Sequence, residues 1–275
     1  MVELDHFAEA FLEAAPDAVL AVDDSGEIIL VNMQAEVLLG YGRAELWGKP
    51  MEGLLAEPEG TTQTRRSVGP HSVELLAQHR DGHRVPVEVS LAPVTIDHRP
   101  YTIAILRDLT ERRRLEENLH YVSTHDSLTG LANRFAFDEA LARLDERGPH
   151  PVGVLMVDLD ELKRINDEQG HAAGDTMLRR VAEVLKATFR ADDVVARIGG
   201  DEFVVLTSGR DAEAVEALAV RLFDAVQQHN RELDATPIRL SLGVAIAESG
   251  MSIAAALQDA DARMYSMKRL HHDSR

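Results

Sequence analysis

The chain has 275 residues, 45% apolar and 28% charged. This is globular composition at a length suited to two domains, and it excludes a disordered chain, a coiled-coil rod and a collagen-like repeat. With 29 basic and 47 acidic residues the net charge is −18, a field that opposes nonspecific binding to DNA or anionic membrane.

No cysteine is present, which removes disulfides, thiolate metal sites, a cysteine nucleophile and cysteinyl-flavin photochemistry. Met1 to Asp5 are acidic, where a signal peptide would be basic and then apolar. The longest apolar stretches, such as Val152 to Val157, are strand-sized and far short of the ~20 residues of a membrane span. The reading is a soluble, cytoplasmic protein with no nucleic-acid and no membrane partner.

Val19 to Val22 and Ile28 to Val31 are strands joined by an Asp/Ser/Gly turn. Short helical pieces follow at Gln34 to Leu39 and Arg43 to Trp47, and residues 56–72 read as a loop or frayed helix. Val73 to Gln78, Arg84 to Pro93 and Tyr101 to Leu106 are strands, the second alternating at Val85, Val87, Val89 and Leu91. Asp81-Gly82 is a hairpin turn between the first two. From Asp108 to Ser123, Leu115, Leu119 and Val122 repeat at i, i+4, i+7, which fits either a short coiled coil or one amphipathic connector helix.

The rest alternates helix and strand. Helices are predicted at Phe135 to Arg147, Ala173 to Arg190, Ala212 to Gln228 and Ile253 to Leu270. Val152 to Leu159 is a continuous apolar strand, central in its sheet. Val194 to Ile198 and Phe203 to Leu206 form a tight hairpin around Gly199-Gly200, and Ile238 to Ala247 is a further strand.

Carboxylates collect at element ends here. Asp158 and Asp160 stand where the buried strand runs out, and Asp201 and Glu202 at the hairpin tip. Such a meeting suits a hard cation, since Mg²⁺ takes oxygen ligands from one or two carboxylates plus phosphate. Gly199 and Gly200 would let a bulky ligand approach the backbone.

Arg197-Ile-Gly-Gly-Asp-Glu-Phe203 resembles the signature of the GGDEF family of diguanylate cyclases. So do Asp126 to Arg134, Asp158 to Asp167, Gly170-His171, Gly174-Asp175, Ser241 to Ala245, and Asp259-Ala-Asp261 with Tyr265 and Lys268. The resemblance covers residues 124–270. It implies a palm-like α/β (α+β) domain, a central β-sheet flanked by helices, that condenses two GTP into cyclic di-GMP and two pyrophosphates. It implies Mg²⁺ (or Mn²⁺) on Asp158, Glu202 and the Leu159 carbonyl. Asp201 would accept the 3′-hydroxyl proton and also touch metal. Asn166 and Asp175 would read guanine, with His171 a nearby substrate contact. Lys163 and Lys268 would face the phosphates.

Those roles agree with the chemistry. Metal ions clamp attacking and leaving oxygens, and a lysine adds positive charge where negative charge develops. A carboxylate at 175 accepts from the N1–H and N2–H edge of guanine, which adenine lacks. Two of the chain's four lysines, Lys49, Lys163, Lys186 and Lys268, fall at this site. With metal they reverse the local sign of a −18 protein. The acidity itself is spread over both parts: 8 basic against 18 acidic residues up to 110, then 21 against 29.

Arg190-Ala-Asp-Asp193 matches the family's R-x-x-D inhibitory product site, with Arg221 as a contact supplied by a neighbouring subunit. The chain departs from the family after Lys268. His272 occupies the position of a phosphate-contacting arginine, a closing strand is missing, and Leu162 replaces a common Phe.

Residues 8–110 resemble a PAS sensor, through Ala18–Val22, Gly26–Asn32, Leu39-Gly40-Tyr41, Glu45–Gly48, Arg80-Asp-Gly82 and Arg107-Asp-Leu-Thr110. PAS domains hold haem, flavin, small ligands or nothing. Haem would need an axial histidine, for which His71 and His79 are the candidates, and Trp47 reads as packing rather than a flavin stacker. The expected domains are a PAS sensor at 1–110, a signalling helix at 111–124 and the cyclase at 125–275. A symmetric product from one GTP per domain implies a homodimer. Two other readings stay open: a degenerate GGDEF domain that binds GTP or cyclic di-GMP without turnover, and a PAS-led scaffold.

Overall fold

Two antiparallel sheets absorb the apolar runs of the sequence. The computed structural model describes residues 2–57, 67–69, 72–147, 150–232 and 236–273, the side chains of 2–5, 67–69, 147 and 272–273 excepted. His71 therefore lies outside the described residues, and His272 outside the described side chains. The chain divides into two units, Met1–Glu117 and Asn118–Arg275.

In the first unit, helix α1 (Val2–Glu13) precedes strands β1 (Ala18–Val22) and β2 (Ile28–Val31). Helices α2 (Met33–Leu39) and α3 (Arg43–Leu46) and a 3₁₀ turn (Met51–Leu54) follow. Then come β3 (Leu55–Ala56), β4 (Ser67–Gly69), β5 (Ser72–Gln78), β6 (Arg84–Ile96) and β7 (Arg99–Asp108). The sheet order is β2-β1-β7-β6-β5-β3, with β4 also on β5. Of residues 56–72, expected as loop or frayed helix, 58–66 and 70–71 lie outside the described residues; Ala56 and Ser67–Gly69 are short strand pieces paired with β5, and Ser72 opens β5 itself.

The β1–β2 turn is tied by Asp23, whose Oδ1 accepts from the N–H of Ser25 and Glu27, both at 3.0 Å. Asn32 is fully buried and caps α2. Its Oδ1 accepts from Ala35 N–H (3.0 Å) and Val19 N–H (2.9 Å), and its Nδ2 donates to the carbonyls of Leu12 and Asp17. Leu20, Ile28, Leu39, Leu46, Val87 and Leu106 form the core. The alternation of β6 buries Val85, Val87 and Val89 but leaves Leu91 exposed, because β5 ends opposite Ser90. Trp47, expected as packing, is 63% exposed.

Helix α4 (Thr110–Thr124) carries Leu115, Leu119 and Val122, all exposed. The second unit comprises α5 (Arg134–Arg147), β8 (Val152–Leu159), α6 (Leu162–Gln169), α7 (His171–Thr188), β9 (Val194–Arg197) and β10 (Glu202–Ser208). Helix α8 (Ala212–Glu232), strand β11 (Leu240–Ala247) and helix α9 (Ile253–Asp273) complete it. Its sheet runs β11-β8-β10-β9.

Every residue of β8 is buried, and β8 is central as expected. Its period-two alternation splits the core. Leu155, Val157 and Leu159 pack with α7 residues such as Val181 and Leu185. Val154 and Met156 pack with Phe137, Ala260 and Met264 of α5 and α9. Gly243 lets α9 lie directly on β11: a Cβ there would stand 1.9 Å from the Ala260 carbonyl oxygen. Among the described residues no helix is long and apolar enough to cross a membrane.

Candidate active site

Strand pairing brings the two acidic motifs together. In the ladder Glu202 is the direct partner of Asp158 on one side, and Ser241 on the other. Leu159 N–H donates to the Asp201 carbonyl (2.9 Å), fixing the hairpin tip to the end of β8. Asp158 is only 2% exposed, and its Oδ1 is buried with no hydrogen-bond partner. Lys268 Nζ reaches across from α9 to Asp158 Oδ2 (2.7 Å) and lies 3.9 Å from Asp201 Oδ2.

Burial raises the Asp158 pKa above the usual carboxylate range, opposed by the Lys268 bond and reinforced by the charges of Asp201 and Asp160. Burial also works against the Lys268 charge. The bond to Asp158 and the fields of Asp158, Asp201 and Asp160 outweigh it, so the Lys268 pKa is raised.

The donor set fits a hard divalent cation. It consists of carboxylates, and one buried oxygen, Asp158 Oδ1, lacks a partner where water is excluded. Asp158, Glu202 and the Leu159 carbonyl are the groups at this strand end that would hold such an ion, and Asp201 precedes Glu202 at the hairpin tip.

Gly199 and Gly200 serve different ends. A Cβ at 199 would stand 2.6 Å from Glu202 Oε2, so this glycine makes room for the chain's own carboxylate; around Gly200 the space is open. Neither carries a positive φ.

Helix α6 was not expected, since only Leu162 and Ile165 mark an apolar face in eight residues. It starts from Glu161 in the left-handed region (φ 65°) and places Lys163 in solvent. Asn166 is half-buried against α7, where a Cβ on Gly174 would sit 2.0 Å from its Oδ1. That oxygen is buried and without a partner. Asp175, next in line on α7, is half-buried, and His171 is exposed at the helix start. The two expected guanine readers therefore share the α6–α7 corner.

The R-x-x-D residues sit at the other end of β9, four residues or roughly 13 Å from the hairpin. Asp193 Oδ2 accepts from Arg190 N–H (3.0 Å) and faces Arg210 (3.6 Å), while the Arg190 side chain is exposed. Arg221 donates to the Thr188 carbonyl of its own chain, two residues before Arg190. A cavity of about 430 Å³ opens here, lined by His125, Lys186, Arg190 and Asp193.

Two positioning contacts lay outside the expectations. Arg197 Nε and Nη2 donate to the Gly200 carbonyl (3.2 and 2.7 Å), and Nη1 donates to both oxygens of Asp126 (3.0 and 3.2 Å). One guanidinium so joins the hairpin to the Asp126–Arg134 segment. Ser241 Oγ donates to Asp160 Oδ1 (2.8 Å), and His271 Nδ1 lies 3.0 Å from Asp160 Oδ2. This pins the α9 turn that carries Lys268. The signal for Arg197 was its place within both the hairpin motif and a strand end; His271 had none.

The family model described as "Diguanylate cyclase, GGDEF domain" matches residues 123–274, and a PAS-domain model matches residues 16–111. The chain is 33% identical over 234 residues to "Probable diguanylate cyclase DgcE" of Escherichia coli (strain K12), covering 80% of this chain and 21% of that protein. It is 30% identical over 274 residues to "Cyclic di-GMP phosphodiesterase PdeR" of the same organism, covering 95% and 42%. The chain thus spans about a fifth to two fifths of the length of these curated relatives. The crystal structure of the coiled coil and GGDEF domain of DgcB from Caulobacter crescentus, in complex with c-di-GMP, covers 58% of this chain and 89% of its own. It superposes with a TM-score of 0.50 at 32% identity.

Proposed function

Because the chain belongs to the GGDEF diguanylate cyclase family, with a PAS domain ahead of its GGDEF domain, we propose that it condenses two GTP into cyclic di-GMP and two pyrophosphates. The observation that carries this reading is the buried, unpartnered Asp158 Oδ1 directly across the ladder from Glu202. Asp158, Glu202 and the Leu159 carbonyl hold Mg²⁺ (or Mn²⁺). A bound divalent ion neutralises phosphate charge and lowers the barrier to in-line displacement.

Asp201 accepts the proton of the 3′-hydroxyl. Lys163, in solvent on α6, faces the triphosphate, and Lys268 turns to it from Asp158. Asn166 and Asp175 take the guanine edge, with His171 beside them. Gly200 leaves open space for the nucleotide backbone.

The symmetric product calls for two chains. The exposed Leu115, Leu119 and Val122 of α4 support a homodimer in which residues 1–110 sense, 111–124 transmit and 125–275 catalyse. Product binding at Arg190 and Asp193 restrains the enzyme.

A second reading has its own support. Lys268 is engaged on Asp158, and α9 continues through Asp273 where the family has Gly-Arg-Asn; both suit a domain that binds nucleotide without turnover. Nucleotide analysis after incubation with GTP and Mg²⁺ separates the two. The cyclase reading expects cyclic di-GMP from the wild type and none from a folded Asp201→Ala variant. No cyclic di-GMP from the wild type leaves the binding reading.

A further inference from the structure

We propose that His79, Asp81 and His83, on the β5–β6 turn of the PAS unit, form a site for a divalent transition-metal ion of the Zn²⁺ class. Among the described residues, this is where three His, Asp or Glu ligand atoms come within 4.8 Å of one another. The spacing is His-x-Asp-x-His, and Gly82 (φ 95°) supplies the turn that folds the three side chains to one side.

The site is partly built in advance. Arg80 N–H donates to the Leu39 carbonyl (2.9 Å), seating the turn on the end of α2. The His79 ring packs over Gly40, where a Cβ would stand 2.2 Å from its Nε2. That packing leaves Nδ1 facing Asp81 and holds the His79 side chain at 22% exposure. His83 is 56% exposed and stacks on it at 4.3 Å.

Protons alone satisfy this arrangement poorly. Asp81 Oδ1 faces three nitrogens: His79 Nδ1 at 2.8 Å, His83 Nδ1 at 2.5 Å and the His83 N–H at 3.1 Å. A carboxylate oxygen offers two lone pairs. His79 Nδ1 also lies 3.3 Å from the Asp81 N–H. A proton on Nδ1 of each neutral ring donates to Asp81 Oδ1, which gives that oxygen three donors and leaves the Asp81 N–H without the His79 lone pair. A metal ion accepts the lone pairs of both nitrogens and of the oxygen at once.

Two imidazoles and one carboxylate select Zn²⁺, Co²⁺ or Ni²⁺ over Mg²⁺, which prefers oxygen alone. Tetrahedral ligands at 2.0–2.1 Å lie roughly 3.4 Å apart, so the exposed His83 must draw away from Asp81 Oδ1, now at 2.5 Å, and its ring must turn out of the stack on His79. Three protein ligands leave a coordination position open for a small molecule. The sensor unit thereby gains a ligand-binding centre that needs neither haem nor flavin.

The test uses the full chain in excess Mg²⁺, which fills the oxygen-donor site of the GGDEF domain. Zn²⁺ is titrated by calorimetry and Co²⁺ by visible absorption. The wild type is expected to take up a single Zn²⁺ per chain and to give Co²⁺ d–d bands. His83→Ala and Asp81→Asn, both at exposed positions, are expected to weaken uptake by more than about tenfold with unchanged circular dichroism. Asp158→Asn is expected to retain it. No uptake by the wild type, equal affinity in His83→Ala, or loss in Asp158→Asn alone overturns the proposal.

Discussion

Lys268 Nζ lies 2.7 Å from Asp158 Oδ2, so an ammonium near the end of α9 neutralises the buried carboxylate at the end of the central strand. Removing that ammonium strands a buried charge. Lys268→Met is expected to lower stability by about 1–3 kcal/mol in the absence of divalent ions. Mg²⁺ should restore most of the loss, since a divalent ion replaces the missing positive charge. Thermal unfolding with and without Mg²⁺ checks this; equal shifts in both conditions would show that Lys268 acts only through packing.

That contact depends on how closely α9 approaches β11. At Gly243 the obstacle to a side chain is backbone, the Ala260 carbonyl and the Met264 N–H, which cannot move aside as a side chain can. Gly243→Ala is expected to cost about 1–3 kcal/mol as overpacking, seen in urea unfolding. It should also strengthen Mg²⁺ binding, because Lys268, whose ammonium occupies Asp158 Oδ2, rides on the displaced helix.

The Asp126–Arg197 pair gives a pH dependence. Burial raises the Asp126 pKa, but hydrogen bonds from Thr129 and Arg197 outweigh it, and the net shift is downward. A carboxyl with a lowered folded pKa contributes stability above its unfolded value. That contribution disappears as pH falls through the lower, folded value. Arg197→Ala removes a lowering partner, so the stability lost between pH 7 and strongly acid conditions should be smaller than in the wild type. Unfolding midpoints measured across that range test it. A variant curve parallel to the wild type would mean that Thr129 alone sets the shift.

The strands were legible because period-two alternation and turn chemistry are local. The β1–β2 turn, the β5–β6 turn and the unbroken β8 all follow from neighbouring residues. Helix α6 was hidden because two apolar residues in eight leave no periodicity. A strand end beside a hairpin tip already suggested that Asp158 and Glu202 meet, the motif resemblance gave them a shared role, and the ladder makes them direct partners. The contacts of Arg197 with Asp126 and of His271 with Asp160 span 71 and 111 residues. No local pattern encodes pairs so far apart. The acceptor role of Lys268's partner was equally hidden, since the motif names the lysine but not what it touches.

Gly174 offers a test of guanine recognition. A methyl group there would meet Asn166 Oδ1 at 2.0 Å and push it from the α6–α7 corner. The Asp158–Glu202 pairing is untouched. Gly174→Ala is therefore expected to raise KM for GTP by roughly two- to tenfold, one lost hydrogen bond to a base edge being worth about 0.5–1.5 kcal/mol, with a smaller change in kcat. An unchanged KM would remove Asn166 from the substrate contacts.

The two ends of the R-x-x-D motif should separate by substitution. Asp193 is buried, closes its own turn on the Arg190 N–H and faces Arg210. Asp193→Ala is expected to destabilise the fold by about 1–3 kcal/mol, so any loss of product inhibition in it mixes two causes. The Arg190 side chain is exposed, and the turn uses only its backbone. Arg190→Ala should leave the unfolding midpoint within about 0.5 kcal/mol of wild type while weakening cyclic di-GMP binding. A guanidinium–phosphate contact is worth about 1.5–3 kcal/mol, roughly ten- to a hundredfold in affinity. Calorimetry with cyclic di-GMP on the two variants reads this directly. Wild-type affinity in Arg190→Ala would show that the product, if it binds this chain, does so elsewhere.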